Sequence, residues 1–449
     1  MTAEARTLSW WDTLRFQLLV TVPYALWGPV TANRWFVSQL SSANAGQATI
    51  RFLDALRDKY RSDHLWAWFP GGRTLLVLNP ESIDAVLQSD QNAADPMLKK
   101  RALSHFVPDA LVISSGHEWA NRRPFNETVL ALGKLHPHAD AFKEIAFQEV
   151  DRLTAERSAE LRWADFQTLA ERISHQVLLG PGRVEPELTR HLARMVRRSN
   201  WVVLPRHRRS FSAFYEQIGR YLARHRAGIT GAVPTHCLMH ESAALLEDGS
   251  SATDLTQVPR QIGFWVFVLK DALELHVART LALIAAHPEV QDGVRKEIRN
   301  LPAMTARTID GLQYLDACVH EALRLWTPVP ILLRRAVTSF TLRPRITIEP
   351  GQQILIHAGY YHRDSRVFGE STDRFSPDSV RKDGPHVYFF SRHRQSCAGQ
   401  SLATFLIKGT LAALLARRRF ELVGPTVGPG RIPYLYDHFK ILLRSLGDA

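Results

Sequence analysis

The sequence has few cysteines. Its 449 residues include three, Cys237, Cys318 and Cys397, which are odd in number and widely spaced. Small secreted domains that depend on disulfides carry dense, even-numbered sets of cysteines. We therefore exclude a disulfide framework and expect a reducing compartment, such as the cytoplasm.

Long uninterrupted apolar runs are also missing. The best candidate, residues 16–33, carries no charge but contains several polar residues and two prolines, Pro23 and Pro29. A bilayer-spanning helix needs about 20 mostly apolar residues, and proline weakens it. No small-residue cleavage site follows, as it would in a secretory signal. We expect residues 1–45 to pack as an apolar segment on the body of the protein, with peripheral attachment to a membrane as the less favoured alternative.

Acidic residues are outnumbered. Lys and Arg total 56 against 44 Asp and Glu, which gives a formal net charge of +12. Such a balance favours acidic partners. Basic residues cluster between positions 194 and 209, with Trp201, Phe211 and Phe214 among and just after them, as in a nucleic-acid groove. No nucleic-acid-binding motif accompanies them, so we expect no nucleic acid partner.

One cysteine stands at a distinctive place. Leu402, Phe405 and the leucines that follow recur at three- and four-residue spacing, which predicts a helix that starts just after Cys397. The unpaired N–H groups and positive partial charge at a helix N-terminus favour thiolate, the form that binds a metal. Cys397 is thus a candidate single axial ligand, and Ala398 and Gly399 let the backbone pass close to a large flat group. A buried, inert cysteine is the alternative.

Three upstream patterns accompany this loop. Residues 257–286 are strongly apolar and predict a central helix of about 45 Å. Trp119 and Arg123 share a helix face, where they offer an indole N–H and a guanidinium to an anion, although a surface Arg packed on a Trp is common. Glu321 and Arg324 also share a helix face, but Glu-x-x-Arg is frequent by chance.

Phe390, Cys397 and Gly399 have the spacing Phe-x-x-x-x-x-x-Cys-x-Gly, which resembles the haem-binding loop of the cytochrome P450 superfamily. Four signals stand in the family's order: Trp119/Arg123, Glu321/Arg324, Arg374/Phe375 and the cysteine loop. The match runs from about residue 46 to the end. We therefore predict a single haem-thiolate catalytic domain over residues 46–449.

The resemblance implies a mainly α fold with a small β-rich part, in which haem b is buried between the long central helix and the helix of the cysteine loop. It makes Cys397 the iron ligand. It makes Glu321, Arg324 and Arg374 a structural triad, and it assigns the haem propionates to Trp119, Arg123 and either Arg334 or Arg335.

Departures from the family pattern concern the oxygen site and the loop. Counted back from His287, the positions that carry a small residue, Gly, an acid and Thr in the family hold Val268, Leu269, Asp271 and Ala272. The acid is kept and the hydroxyl is lost. In the loop, His393 replaces the usual Gly, although His tolerates left-handed backbone. Gln395 replaces the usual Arg or His, and Arg394 is a neighbouring cation that compensates only in part.

The leading hypothesis is a monooxygenase that inserts one oxygen atom from O₂ into a hydrophobic small molecule. Its electrons would come from an acidic ferredoxin- or flavodoxin-type donor, Asp271 would deliver protons, and we expect a monomer. Without Thr at position 272, a peroxide-dependent enzyme, an isomerase or a coupling enzyme is the alternative, and a silent haem- or lipid-binding protein is a third. The expected substrate pocket consists of Phe264, Phe267, Val268, Ala272, Val329 and Ile331.

Overall fold

The fold is described from a computed structural model. The structure describes residues 4–28, 31–94, 98–157, 159–199, 205–228, 235–247, 257–343, 346–380, 384–428 and 430–447. The predicted mainly α fold with a small β-rich part is confirmed.

The helices are α1 Trp10–Phe16, α2 Val22–Trp27, α3 Arg34–Ser42, α4 Ala45–Tyr60, α5 Pro80–Gln88, α6 Leu98–Leu103, α7 Gly116–Val129, α8 Ala139–Glu156, α9 Trp163–Leu179, α10 Pro186–Ser199, α11 Arg208–Ala227, α12 Leu238–Glu247, α13 Val258–Ala286, α14 Pro288–Arg299, α15 Ala306–Asp310, α16 Gln313–Leu325, α17 Ala358–Tyr361, α18 Ser365–Phe368 and α19 Gln400–Arg417. The strands are β1 Arg6–Thr7, β2 His64–Phe69, β3 Gly72–Val77, β4 Asn92–Ala94, β5 Glu160–Arg162, β6 Leu332–Ala336, β7 Phe340–Arg343, β8 Ile346–Ile348, β9 Gln353–Ile356, β10 Phe420–Gly424 and β11 Leu442–Ser445. None of the described helices is long and apolar enough to span a bilayer.

The chain divides into two compact units. The first contains Met1–Leu103, Leu323–Cys397 and Gly430–Asp437. The second contains Ser104–Ala322, Ala398–Pro429 and His438–Ala449.

A six-stranded sheet organises the first unit, in the order β1-β2-β3-β9-β6-β4. Its strands read as apolar runs because both faces are covered, and side chains of a strand alternate between the faces. Leu75 and Val77 of β3 join a core cluster with α5, whereas Leu76 joins a second cluster with α4. This alternation also places Arg334 of β6 on the face of Leu332.

The N-terminal segment packs on this unit. Phe16 and Val20 belong to the same core cluster as residues of α4. The predicted boundary between this segment and a catalytic domain from residue 46 stays a prediction.

The second unit is built around α13. This helix packs against α9, α11 and α19, and α19 also packs against α8. The predicted helix over residues 257–286 is confirmed by α13, whose 29 residues begin after Gln257. Its second half is almost entirely buried, which explains why most of that stretch is apolar.

Candidate functional site

Cys397 ends a loop that is closed on itself. Its backbone N–H donates to the carbonyl of Phe390 with an N–O distance of 2.8 Å, and its side chain is exposed. Gly399 is the N-cap of α19, so Cys397 lies two residues before the cap. The sequence predicts this placement. The role of Cys397 as an iron ligand stays a prediction.

The loop adopts left-handed backbone where the family has glycine. His393 has a φ of 54° and Ser391 a φ of 56°, conformations that cost most side chains energy. His393 Nε2 lies 3.4 Å from Asp84 Oδ1 on α5, and His386 Nδ1 lies 2.8 Å from Asp84 Oδ2. Asp84 therefore contacts the loop at His393 and the segment just before the loop at His386. Sequence reasoning missed it, because nothing along the chain links position 84 to this loop.

Arg334 is a buried cation with no counter-ion among the described residues. Its Nη2 donates to Ser391 Oγ at 3.0 Å and its Nη1 to the carbonyl of Leu333 at 3.0 Å. Its buried Nε has no hydrogen-bond partner among the described residues, and burial alone lowers the pKa of Arg334 to about 10. A buried, uncompensated charge costs several kcal/mol. An anionic group beside the cysteine loop would remove that cost, so this site fits a haem propionate.

The neighbouring candidates differ from Arg334. Arg335 is only partly buried and donates from Nη1 to the carbonyl of Gly351 at 2.9 Å, because adjacent residues of a strand face opposite sides. Arg394 is exposed on the loop. Gln395 donates to the backbone carbonyl of Asn92 at 3.3 Å. Of the two arginines left open by the sequence, Arg334 has the surroundings of an anion site.

Arg324 is a fully buried clamp. Its guanidinium donates to the backbone carbonyls of His362 at 2.6 Å, Ser371 at 2.7 Å and Thr372 at 3.1 Å. It also lies over the ring of Phe368 at 4.6 Å. One side chain of α16 thus holds the segment from residue 362 to residue 374. Glu321, one turn earlier, is likewise fully buried.

Arg374 does not make the predicted contact. Its side chain is exposed, and it meets Arg324 through its own carbonyl, which accepts from Nη2 at 3.3 Å. The inward position is taken by Arg363, which pairs with Asp373 at 2.8 Å and donates to the carbonyl of Leu325 at 2.9 Å. Sequence reasoning assigned no role to Arg363, since its burial follows from tertiary packing alone.

His362 connects the clamp to the cysteine loop. Its Nε2 accepts from the backbone N–H of Tyr388 at 2.8 Å, and its Nδ1 lies 2.7 Å from Thr327 Oγ1. The bond from Tyr388 requires a neutral ring with the proton on Nδ1. Burial, assisted by the charges of Arg324 and Arg363, holds the pKa of His362 well below its usual value.

Trp119 and Arg123 share a face of α7, as predicted. The guanidinium of Arg123 lies 5.8 Å from the ring centroid of Trp119. It is mostly buried and pairs with Glu127 at 2.5 Å. Arg123 therefore already has a counter-ion, the carboxylate of Glu127. Its role toward a propionate stays a prediction.

One face of α13 is half-exposed whereas most of the helix is buried. This half-exposed stripe consists of Phe264, Phe267, Val268, Asp271, Ala272 and Leu275. The spacing of three and four residues lines them up on one side of the helix. All five predicted α13 residues lie on it, and Phe267 packs edge-to-face on Phe106 at 5.2 Å.

A second acid lies beside Asp271. Glu274 is buried next to the stripe and pairs with Lys270 at 2.5 Å. Burial raises the pKa of Glu274 to about 7, with Asp271 adding to the shift and Lys270 opposing it. Glu274 therefore exchanges protons near neutral pH. Sequence reasoning missed it because only burial distinguishes it from an ordinary surface pair.

The two predicted pocket residues that follow α16, Val329 and Ile331, have different surroundings. Val329 is partly buried at the edge of a core cluster. Ile331 is 4% exposed and belongs to the apolar core with β2 and α4. Its contacts are those of a core residue, and its place in the pocket lining stays a prediction.

Comparisons with known proteins agree with this picture. A family model described as Cytochrome P450 matches residues 277–433. Probable cytochrome P450 4aa1 of Drosophila melanogaster is 22% identical over 408 residues, 83% of this chain and 78% of that protein. A crystal structure of a cytochrome P450 (CYP102L1) superposes with a TM-score of 0.69 at 18% identity, and covers 89% of this chain and 94% of that one.

Other similarities are partial. Cytochrome P450 6a9 of Drosophila melanogaster is 28% identical over 174 residues, 36% of this chain. The matched part spans about a third of the length of that relative, 34% of it. The structural similarity, at its low identity, shows the fold.

We predict that Arg334→Met separates stability from cofactor binding. Without haem, the variant should be as stable as the wild type or more so, because an uncompensated buried charge is removed. Its affinity for haemin should fall about tenfold to a hundredfold, since a charge-assisted hydrogen bond is worth about 1.5–3 kcal/mol. Chemical denaturation and haemin titration measure the two quantities.

Arg335→Met is the matched control, on the same strand and the opposite face. It should leave haemin affinity within about twofold of the wild type. Equal losses of affinity in both variants would contradict the assignment of Arg334.

We predict that His362 makes folding stability depend on pH. Its folded pKa lies below the unfolded value of about 6.5, so the unfolded chain binds one more proton as the pH falls below 6.5. Stability is fully present above that pH and is lost toward the folded pKa, with a slope of about 1.4 kcal/mol per pH unit from this residue. His362→Asn should reduce the slope between pH 6 and 5 by that amount.

Denaturation at several pH values measures the slope for both proteins. The ring protons of wild-type His362 supply an independent check by NMR, since they should not titrate between pH 7 and 5.5. A normal titration near pH 6.5 would refute this prediction.

Proposed function

Because the chain belongs to the cytochrome P450 superfamily, we propose that it is a haem-thiolate monooxygenase that inserts one oxygen atom from O₂ into a hydrophobic small molecule. One observation carries the proposal. The exposed Cys397 ends a loop whose Ser391 contacts the buried, uncompensated Arg334. A thiol on this loop and an anion site beside it match the central iron and an edge propionate of an iron porphyrin.

The residues of the first unit have distinct roles toward haem b. The Cys397 thiolate is the iron ligand, and Arg334 binds a propionate. Asp84, His362 and Arg324 hold the loop and the segment behind it. When bound, haem with a thiolate ligand supplies electron density that favours cleavage of the O–O bond. Trp119 and Arg123, in the second unit, stay a predicted propionate pair.

The half-exposed stripe of α13 supports the substrate class. Phe264, Phe267 and Val268 offer an apolar surface, which binds a hydrophobic molecule and excludes water. The reaction consumes two protons and two electrons for each oxygen atom inserted. Asp271 holds and releases protons at its carboxylate, and Glu274, one turn away, resupplies them because it titrates near neutral pH.

The electron donor that we propose is an acidic ferredoxin- or flavodoxin-type protein. The chain carries a net charge of +12. The loop before Cys397 is itself basic, with Arg392 partly exposed and Arg394 exposed. Opposite charges steer a donor toward this loop. Arg392 and Arg394 stand only a few residues before Cys397 in the chain, so a donor that docks on them would lie near the proposed iron ligand.

The alternative is a haem-thiolate enzyme that uses peroxide, or that isomerises or couples its substrate. Ala272 favours it. The stripe offers no hydroxyl at the position where the family has Thr. The hydrogen bond that such a hydroxyl would donate would then have to come from the substrate or from water.

We predict that the reduced protein with CO shows the red-shifted Soret band of a thiolate-ligated haem. Cys397→Ala should lose that band, because the thiolate is the source of the shift. Cys318→Ala, which removes a buried cysteine, is the control and should keep it. A variant at position 397 with an unchanged spectrum would refute the function.

We predict that Ala272→Thr raises the fraction of consumed electrons that appear in product, by severalfold, if the protein uses O₂ and a redox partner. Val268→Thr adds a hydroxyl one turn earlier on the same stripe and is the control. Product and NADPH consumption measure this fraction. Turnover with hydrogen peroxide, but none with NADPH and redox partners, would select the alternative.

A further inference from the structure

Large apolar side chains are exposed at the N-terminus. Trp10 is 76%, Trp11 54%, Leu18 58% and Trp35 63% exposed, and Leu14 and Val22 are also exposed. Elsewhere in the described chain, only Trp68, Val337, Val423 and Leu446 are comparably exposed. Tryptophan is highly buried on average, so three exposed tryptophans within 26 residues require a reason.

Four of these side chains lie along one line. Residues 10–27 form a continuous helical segment, with a π-helical stretch at Gln17–Thr21 between α1 and α2. Positions four apart drift around an α-helix, which has 3.6 residues per turn. The wider π turn, with i→i+5 bonds, offsets that drift. Trp10, Leu14, Leu18 and Val22 therefore share one face, which we name the N-terminal apolar face together with Trp11.

The opposite side of the segment is tied down. Phe16 packs edge-to-face on Phe69 at 6.4 Å. Pro23 has no N–H for the carbonyl of Leu19, and Thr49 Oγ1 of α4 donates to that carbonyl instead, at 2.5 Å. The N-terminal apolar face is thus held outward by a fixed helix.

More aromatic surface borders this face. Gln17 donates to the carbonyl of Trp68, whose side chain is 64% exposed. Trp35 is on α3, which contacts α2. Tryptophan is the residue that collects at the boundary between headgroups and acyl chains of a bilayer.

The segment between Asp12 and Asp54 carries charge of one sign. Between Asp12 and Asp54 the sequence has no acidic residue, whereas it has Arg15, Arg34 and Arg51, all exposed. Asp12 is itself buried and bonded to Lys59 Nζ at 2.6 Å and Tyr60 Oη at 2.7 Å. An apolar face with a basic border fits an anionic lipid surface.

We propose that the N-terminal apolar face docks this protein peripherally on an anionic membrane surface, with Trp10, Leu14 and Leu18 inserted at the headgroup boundary. The proposal is independent of the haem chemistry. A second copy of the chain is disfavoured as the occupant, because two such faces would bring Arg15 and Arg34 of both copies together with no acidic residue of the segment to offset them.

Vesicle flotation tests the proposal, with the full-length protein and vesicles of phosphatidylcholine alone or mixed with phosphatidylglycerol. The wild type should float with the anionic vesicles. The triple variant Trp10→Ser/Leu14→Ser/Leu18→Ser should bind them at least about tenfold more weakly. Arg15→Gln/Arg34→Gln should lose about fivefold in affinity for each charge.

Val423→Ser/Leu446→Ser is the matched control, since it removes exposed apolar side chains outside the segment, and it should bind like the wild type. All substituted positions are exposed, so unchanged circular dichroism and thermal midpoints verify folding. Three outcomes overturn the proposal: no flotation of the wild type, equal binding of the triple variant, or equal binding to both kinds of vesicle. Light scattering that shows a dimer lost in the triple variant overturns it in favour of self-association.

Discussion

The guanidinium of Arg324 is the interaction on which the first unit depends. A buried cation must be compensated, and four backbone carbonyls of the segment from His362 to Arg374 do so. Because the carbonyl dipoles converge on one point, the segment has little freedom. The ring of His362 then accepts from Tyr388 at the start of the cysteine loop. The position of Cys397 thus follows from a chain of buried contacts that begins on α16.

Arg334 has fewer partners than Arg324 and Arg363. Arg324 meets four backbone carbonyls and Arg363 pairs with Asp373. Arg334 is also buried, but among the described residues it donates only to Ser391 and to the neighbouring carbonyl of Leu333. A protein that keeps such a charge accepts a cost to stability unless a ligand compensates it. The position of this charge beside the cysteine loop gives the cofactor assignment a physical basis that does not depend on sequence similarity.

Different parts of helix α13 have different roles. Its second half is buried and holds the second unit together, while its middle carries the half-exposed stripe. Two departures from the cytochrome P450 pattern lie on that stripe, where Val268 and Ala272 stand in place of the small residue and the hydroxyl. The third, Leu269 in place of Gly, is buried beside it. The chain instead carries Glu274, a buried acid with a pKa of about 7. Proton supply and oxygen binding, which one acid–alcohol pair serves in the family pattern, are therefore separated in our proposal.

Local signals predicted much of this protein. The helix that follows Cys397 and the length of α13 each follow from the periodicity of apolar residues, which acts over a few neighbours. The stripe on α13 was predictable too, because residues three and four apart must share a face.

What the tertiary structure alone decided are the contacts between distant positions. Asp84 contacts the cysteine loop from across some 300 residues of chain, and Arg363 is the inward cation where the sequence indicates Arg374. Arg334 rather than Arg335 is the buried cation that has no counter-ion among the described residues. Burial decides each of these, and burial is a property of the packed molecule. A sequence specifies which side chains can bear charge, but only packing determines which of those charges water no longer reaches.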